Sequence, residues 1–129
     1  MKALLDTHVF LWLQTEPERV GSALEILAAP ETDLLVSAAS AWEIAIKYGL
    51  GRIDLPEPPV TYLPSRLRAI GASPLPVDVL DATAVANLPP LHRDPFDRLL
   101  VAQALRHDLT VVTADEAILR YDVSSRRVP

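Results

Sequence analysis

Four carboxylates in this sequence stand at the ends of predicted strands or in the first turns of predicted helices. They are Asp6, Glu43, Asp97 and Asp115. In an open parallel sheet, ligands bind beyond the carboxyl ends of the strands, so these acids could meet at one edge of the molecule. Carboxylates that lie close together repel one another, and such a cluster is stable only when protons or cations neutralise it.

The chemistry of such a cluster follows from its ligand atoms. The chain has no cysteine and offers mainly oxygen ligands, which predicts a hard cation, Mg2+ or Mn2+, rather than zinc. Such an ion polarises a phosphoryl oxygen and lowers the pKa of an attacking water. The residue types therefore predict a metal site suited to phosphodiester hydrolysis.

Each acid also has a structural explanation, because acids are favoured at helix N-termini. Segments 40–43 and 113–116 have the pattern of capping boxes, with Ser40 and Thr113 as the predicted N-caps. Segment 94–97 is typical of an N-cap, a proline at the first helical position and an acid in the first turn. Capping alone does not require four acids to gather at one edge, and the set as a whole therefore favours a site.

The elements that must position these acids alternate along the chain. Consecutive apolar residues, typical of strands covered on both faces, span 3–5, 34–36 and 109–113, with weaker candidates at 75–77 and within 121–128. Helical spacing predicts helices over 19–29, 39–50 and 96–107, with amphipathic segments at 63–70 and 79–88. This alternation predicts an α/β fold, a three-layer sandwich with a mostly parallel central sheet flanked by helices. The 129 residues are expected to form a single domain, 1–129.

Composition at first argues against a nucleic-acid partner, because the formal charge is −5 and phosphate binders usually carry a basic excess. The four acids supply most of that charge, however, and bound cations would turn the pocket from repelling phosphate to attracting it. No apolar run approaches the length of a membrane span, and Asp6 interrupts any signal-peptide core. A cytoplasmic location is expected.

Four segments resemble the successive motifs of PIN-domain ribonucleases, and most closely the VapC-like toxins of bacterial type II toxin–antitoxin systems. The segments are Leu4 to His8, Val36 to Lys47, His92 to Ala104 and Val112 to Asp115. They follow the family order over nearly the whole chain, and the tract from His92 to Ala104 is the most specific.

The resemblance implies a PIN-like fold and a Mg2+-dependent endoribonuclease, with Mn2+ as a possible substitute. It places the family's acidic quartet on Asp6, Glu43, Asp97 and Asp115, with Asp6 and Asp97 as the principal metal ligands. It implies that Thr113 holds Asp115 or a water on the metal. It also implies a structured RNA substrate such as a tRNA or a ribosomal RNA loop, a small inhibitory antitoxin as partner, and a homodimer.

Several neighbouring residues are secondary candidates. Asp94 could be a further ligand, although the N-cap role is favoured. Lys47 could contact a phosphate or simply pair with Glu43 four residues earlier. Arg93 and Arg98 flank the turn before the late acidic helix and are candidate phosphate contacts, with solvated helix ends as the alternative.

The remaining basic residues are weaker candidates. Arg126 and Arg127 are expected to be surface residues, and His107 to be a solvated residue near a helix C-terminus. His8 and His92 lie near the proposed site, but neither has a partner at metal-ligand spacing, which favours structural roles.

The run from Val9 to Leu13 is too apolar for a one-sided surface helix. Either it is fully packed, or part of it offers a groove for a partner, with Phe10 or Trp12 as an anchor. In the resembling family the antitoxin commonly docks near the first helices.

Three other functions fit the length and the acids. A receiver-type signalling domain needs an adjacent acidic pair after the first strand and a late lysine, whereas the only lysines here are Lys2 and Lys47. A haloacid-dehalogenase-like phosphatase needs a second aspartate at position 8, which is His8. A PIN-fold module that binds RNA or protein without cleaving remains open, although the intact quartet argues against it.

Overall fold

The core of the molecule is a five-stranded sheet in the order β3-β2-β1-β4-β5, described here from a computed structural model of residues 1–129. Every neighbouring pair of strands runs parallel. The strands are β1 (Lys2–Leu5), β2 (Asp33–Ser37), β3 (Ala72–Leu75), β4 (Thr110–Thr113) and β5 (Ser125–Arg127). The predicted α/β class with a parallel central sheet is confirmed, and the strand predicted at 75–77 ends earlier, at Leu75.

Helices connect the strands and cover both faces of the sheet. They are α1 (Thr7–Thr15), α2 (Ala23–Ala28), α3 (Ala38–Gly49), α4 (Pro59–Ile70), α5 (Val79–Ala84), α6 (Pro95–His107) and α7 (Glu116–Leu119), with 3-10 turns at Pro17–Val20 and Val85–Asn87. None of them is both long and apolar enough to cross a membrane.

The predicted helix boundaries hold where apolar periodicity is uninterrupted. Helices α3 and α6 lie within one residue of the predicted 39–50 and 96–107 at each end. The single helix predicted over 19–29 is wrong, because Gly21 adopts φ 62° and separates a 3-10 turn from α2. The segment predicted at 63–70 starts earlier, at Pro59, where proline suits a first helical turn.

Strand β1 is central because its side chains enter both halves of the core. Ala3 and Leu5 pack into one apolar cluster with α1 and α3, and Leu4 packs into a second cluster with α6. All three are fully buried. This two-sided burial is what the run of consecutive apolar residues predicted.

The sheet reverses its winding at β1, which has β2 on one side and β4 on the other. The connections that leave β1 and β4 therefore diverge at the carboxyl edge and open a crevice between them. Asp6 follows β1 directly, and Thr113 ends β4 with Asp115 just beyond. The topology thus places two of the predicted acids at the mouth of this crevice.

A buried polar network ties α5 and α6 to the sheet. Gln103 is fully buried, and its amide nitrogen donates to the Pro76 carbonyl (3.0 Å) and to Asp81 Oδ2 (3.1 Å). Its Oε1 accepts a hydrogen bond from the Ser37 hydroxyl at 2.6 Å. One side chain therefore bonds to three polar groups from separate segments, two of which, in Ser37 and Asp81, belong to buried residues.

Asp81 is the charged centre of this network and is only 1% exposed. Burial alone would raise its pKa, but hydrogen bonds from Gln103, the Asp78 amide, His107 and Arg106 hold the pKa below its usual range. His107 is exposed at the C-terminus of α6, as predicted, and its Nε2 also lies 3.0 Å from Asp81 Oδ1, a contact that the sequence did not predict.

Replacing Gln103 with Leu should lower the free energy of unfolding by about 2–4 kcal/mol, since several buried polar groups lose a partner at once. The matched control is Gln14→Leu, because Gln14 donates only to the Phe10 carbonyl of its own helix and should cost less than about 0.5 kcal/mol. Urea unfolding followed by circular dichroism measures both. Equal losses in the two variants would contradict the proposed weight of the network.

A candidate metal centre at the carboxyl edge of the sheet

Asp6 is fixed at the start of α1 by two hydrogen bonds. Its Oδ1 accepts from the His8 amide at 3.2 Å, which makes Asp6 the N-cap of that helix. Its Oδ2 accepts from the Thr113 hydroxyl at 2.6 Å. Asp6 is 3% exposed, so a carboxylate is held almost wholly out of water at the crevice.

Thr113 joins the two sides of the crevice. While its hydroxyl donates to Asp6, the same oxygen accepts the Asp115 amide hydrogen at 2.9 Å. The resemblance implied that Thr113 holds Asp115 or a water on the metal. The structure shows Thr113 bonded to the backbone of Asp115 and to the carboxylate of Asp6.

Asp115 caps α7 and still faces the crevice. Its Oδ1 accepts the amides of Ala117 (2.8 Å) and Ile118 (3.0 Å), which leaves Oδ2 directed elsewhere. The capping box predicted at 113–116 is therefore wrong, because the N-cap is Asp115 and not Thr113. The Asp115 carboxylate therefore caps α7 with one oxygen, while the other faces the crevice.

Asp94 and Asp97 share the first turn of α6. Asp94 Oδ1 accepts the amides of Phe96 (2.8 Å) and Asp97 (3.2 Å), so the predicted N-cap is confirmed. The Asp97 side chain is 13% exposed and points toward His92 and the other acids. The N-cap fixes the first turn of α6, and Asp97 lies in that turn.

Glu43 enters the site from α3 and is 3% exposed. Its Oε2 accepts from Lys47 Nζ at 2.8 Å, so the predicted pairing one turn apart is present. Its Oε1 is buried and has no hydrogen-bond partner. Burying a carboxylate oxygen without a partner costs free energy of folding, and coordination to a bound cation would offset that cost.

The N-terminus of α3 differs from the sequence prediction. Ser37 is the N-cap and accepts the Ala39 amide at 3.0 Å, so the capping box predicted from Ser40 is wrong. Ser40 instead accepts a hydrogen bond from the Thr7 hydroxyl at 2.8 Å. The helix therefore begins earlier than predicted, and Glu43 lies deeper in it.

The pKa of Asp97 responds to the negative charges of the neighbouring acids. Burial is the main cause that raises the pKa of Asp97 to about 8, and the negative charges of its neighbours raise it further. These neighbours are Asp6, Asp94, Asp115 and Glu43. Burial also raises the pKa of Asp6, against the hydrogen bonds from Thr113 and His8 that lower it. Without a cation, the cluster therefore retains a proton on Asp97 at neutral pH.

His92 lies between two of these acids, which the sequence did not predict. Its Nε2 is 2.9 Å from Asp97 Oδ2 and 3.3 Å from Asp115 Oδ2. These three side chains together are the candidate metal-holding group of the structure. The sequence placed His92 near the proposed site, at the start of the most specific segment, but it favoured a structural role and did not identify Asp97 and Asp115 as its partners.

The site opens to solvent through a shallow depression of about 260 Å3 lined by Asp6, His8, Trp12, Ala114 and Asp115. Arg93 is exposed and lies between His92 and Asp94 in the sequence. Arg98 is engaged elsewhere, because its guanidinium donates to the Pro89 and Val85 carbonyls and to the Tyr121 hydroxyl, each at 3.1 Å. These contacts favour a structural role for Arg98 over the predicted phosphate contact.

The two terminal arginines also differ from each other. Arg127 pairs with Glu116, with Nη2 3.2 Å from Oε2, and both side chains are exposed. Arg126 is exposed, as predicted for a surface residue. Neither arginine contacts Asp6, Glu43, Asp97 or Asp115.

The crevice, the acids and the parallel sheet correspond to a known family. A profile of the PIN domain matches residues 3–124. The chain belongs to the PIN-domain family. Ribonuclease VapC22 from Mycobacterium tuberculosis is 34% identical to this PIN domain over 118 residues, which are 89% of this chain and 88% of that protein.

Two further comparisons agree with this placement. Ribonuclease VapC16 from Mycobacterium tuberculosis is 48% identical over 61 residues, but the match covers only 47% of this chain and 43% of that protein. VapBC2 from Rickettsia felis, bound to a DNA fragment from its promoter, shares the PIN fold with a TM-score of 0.75 over 100% of both chains at 18% identity. The resemblance to VapC-like PIN-domain ribonucleases is thereby confirmed.

In metal-free protein, Asp97→Asn should raise the melting temperature at pH 8 but not at pH 5. The folded-state pKa of Asp97 is about 8 against an ordinary 3.8, so the folded wild type loses stability as pH rises between these values, and an amide does not ionise. We expect a gain of roughly 4 °C, which corresponds to about 1 kcal/mol in a domain of this size.

The measurement is thermal unfolding in EDTA at both pH values. Asp33→Asn is the control, since Asp33 is an exposed acid at the start of β2, the opposite end from the site. An Asp97→Asn gain of the same size at pH 5 and pH 8 would show that ionisation of Asp97 is not the cause.

Proposed function

We propose that this PIN-domain chain is a Mg2+-dependent endoribonuclease, with Mn2+ as a possible substitute, and the toxin of a type II toxin–antitoxin module. The observation that carries the proposal is the convergence of four acids around a buried Glu43 oxygen that lacks a partner. Its similarity to ribonucleases VapC16 and VapC22 supports RNA as the substrate.

The residues of the site fit a hard cation. Asp6 and Asp97 would be its principal ligands, because burial raises the pKa of each carboxylate and the negative charges of neighbouring acids raise it further. Glu43 Oε1 and Asp115 Oδ2 would complete the oxygen set. A cation bound there would polarise a phosphoryl oxygen and promote ionisation of an attacking water.

The surrounding residues hold these ligands in place. Thr113 orients Asp6 through its hydroxyl, and Asp94 fixes the turn that carries Asp97. Lys47 donates to one Glu43 oxygen and leaves the other, Oε1, without a partner. Lys47 and the exposed Arg93 are the cationic side chains that we assign to the RNA phosphates.

The RNA is cut at the open depression, which admits a backbone phosphate beside Asp6 and Asp115. A shallow site of this kind suits an exposed strand or loop, because the bases of structured RNA are read where they are unpaired. We therefore propose a structured RNA with an accessible loop, such as a tRNA or a ribosomal RNA, as the target.

Purified protein with Mg2+ or Mn2+ should cleave a panel of structured RNAs, and EDTA should abolish the cleavage. Asp6→Asn and Asp97→Asn should each lower the rate by roughly a hundredfold or more, as expected when a ligand of a charge-stabilising site is lost. Denaturing gels of end-labelled RNA measure the rate, and Asp33→Asn should cleave like the wild type.

The outcomes separate the candidate functions. Equal cleavage by the wild type and both site variants would show that the acids are wrongly assigned. RNA that binds but is not cut by any variant, with any divalent cation, would favour the PIN-fold binding module instead.

We also propose a cognate antitoxin as partner, since the solved structures that share this fold include VapBC2 from Rickettsia felis and a toxin–antitoxin complex from Klebsiella pneumoniae. Phe10 is fully buried and is not available as an anchor. Trp12 is half-buried under the Arg19 guanidinium, which lies 4.1 Å from its ring centroid. A groove of about 240 Å3 remains beside the first helices, lined by Leu13, Pro17, Leu24, Leu27, Ala28, Leu34 and Ile70.

A short open reading frame directly upstream should encode the antitoxin, and its product should co-purify with this chain. Leu24→Glu should weaken that complex at least tenfold, because Leu24 is 37% exposed in the groove and a charge there cannot be solvated once covered. Leu105→Glu, at an exposed apolar residue of α6, is the control. Calorimetry measures the affinity of each variant for the antitoxin. Unchanged binding by Leu24→Glu would exclude the groove as the docking site.

We also propose that the chain forms a homodimer, and light scattering measures its molar mass in solution.

A further inference from the structure

His92 has a different hydrogen-bonding partner on each ring nitrogen. Nδ1 accepts the backbone N–H of Asp94 at 3.1 Å. Nε2 lies 2.9 Å from Asp97 Oδ2 and 3.3 Å from Asp115 Oδ2. The side chain is only 15% exposed, so these contacts decide how the ring is protonated.

The separations at Nε2 are compatible with two roles. Adjacent ligand atoms around an octahedral Mg2+ lie roughly 3 Å apart, given metal–oxygen distances of about 2.1 Å. His92, Asp97 and Asp115 therefore have the spacing of three metal ligands. The same spacing also suits an Nε2–H that donates a hydrogen bond to two carboxylates.

The amide of Asp94 distinguishes these roles. A backbone N–H can only donate, so Nδ1 of His92 must accept and carries no proton. In a neutral imidazole the proton is then on Nε2, whereas a ligating nitrogen must be free of its proton. The nitrogen that faces the acids is therefore a donor.

We propose that His92 is a positioning residue that donates its Nε2–H to Asp97 and Asp115, and that it is not a ligand of the metal. The inference rests on the metal site of the proposed function. A neutral donor between two acids reduces their repulsion and fixes the position of Asp97 Oδ2 and Asp115 Oδ2, without adding a positive charge that would repel a cation.

The arrangement has a consequence for metal specificity. Without an imidazole nitrogen, the site presents oxygen ligands only, which disfavours zinc relative to Mg2+ and Mn2+. The Asp94 amide prevents Nδ1 from carrying the proton. It is therefore the group that keeps Nε2 protonated and restricts the site to oxygen ligands. Asp94 acts here through its backbone, independently of its side-chain cap.

The tautomer is tested directly by long-range proton–nitrogen spectra of 15N-labelled protein, without metal and with saturating Mg2+. The chain has only three histidines, and His92→Gln assigns the signal. We expect the Nε2–H form in both spectra. An Nδ1–H form, or loss of the Nε2 proton when metal is added, would overturn the inference.

Calorimetric titration with Mn2+ and Zn2+ tests the positioning role. His92→Ala should weaken both metals by a similar factor, about tenfold, as for other residues that orient metal ligands. His92→Gln, which keeps an N–H donor, should recover most of that loss for both. A loss much larger for Zn2+ than for Mn2+ in both variants would identify His92 as a ligand, and unchanged binding in His92→Ala would remove the positioning role.

Asp97→Asn separates this inference from the proposed function. If the wild type binds no metal, or Asp97→Asn binds as tightly as the wild type, the metal site itself is wrongly assigned. The metal-free spectrum still decides the His92 tautomer in that case. Circular dichroism and melting curves confirm that each variant is folded before titration.

Discussion

Repulsion among carboxylates that are held out of water is the constraint on which the rest of this structure depends. Asp6 and Glu43 are each 3% exposed, and Asp97 is surrounded by the negative charge of four other acids. Such a cluster cannot arise from local preference, because each member would be more stable apart and solvated. The fold must impose it, and the parallel sheet does so by ending its strands at one edge.

Every acid is held by a bond that also has a structural purpose. Asp6 and Asp115 cap helices, Asp94 caps the turn that carries Asp97, and Lys47 pairs with Glu43. Helix capping places a carboxylate in a partial positive field at its own helix N-terminus. This offsets part of the repulsion, so the capping and metal-binding explanations of these residues are two aspects of one arrangement.

The surroundings at the two ends of α6 shift the pKa of a carboxylate in opposite directions. Near its C-terminal half, Asp81 is surrounded by donors from Gln103, His107 and Arg106, and its pKa is lowered. At its N-terminus, Asp97 has a single donor in His92, and its pKa is raised to about 8. The first arrangement stabilises the fold. The second leaves a repulsion that the cation we propose would relieve, as is usual where stability is given up for function.

The sequence by itself determined strands β1, β2 and β4, helices α3 and α6, and the acids as candidates for a site, because these depend on local periodicity and on residues that directly follow it. Consecutive apolar residues at 3–5 identified a strand buried on both faces, and the strand end then located Asp6. Only the tertiary structure decided which serine caps α3, that Arg98 bonds to backbone carbonyls, and that His92 lies between Asp97 and Asp115. The segment before α6 has no periodicity, and its course is set by contacts with distant residues such as Asp115, 23 positions away. Side chains whose partners lie across the sheet take their roles from packing, which no local pattern encodes.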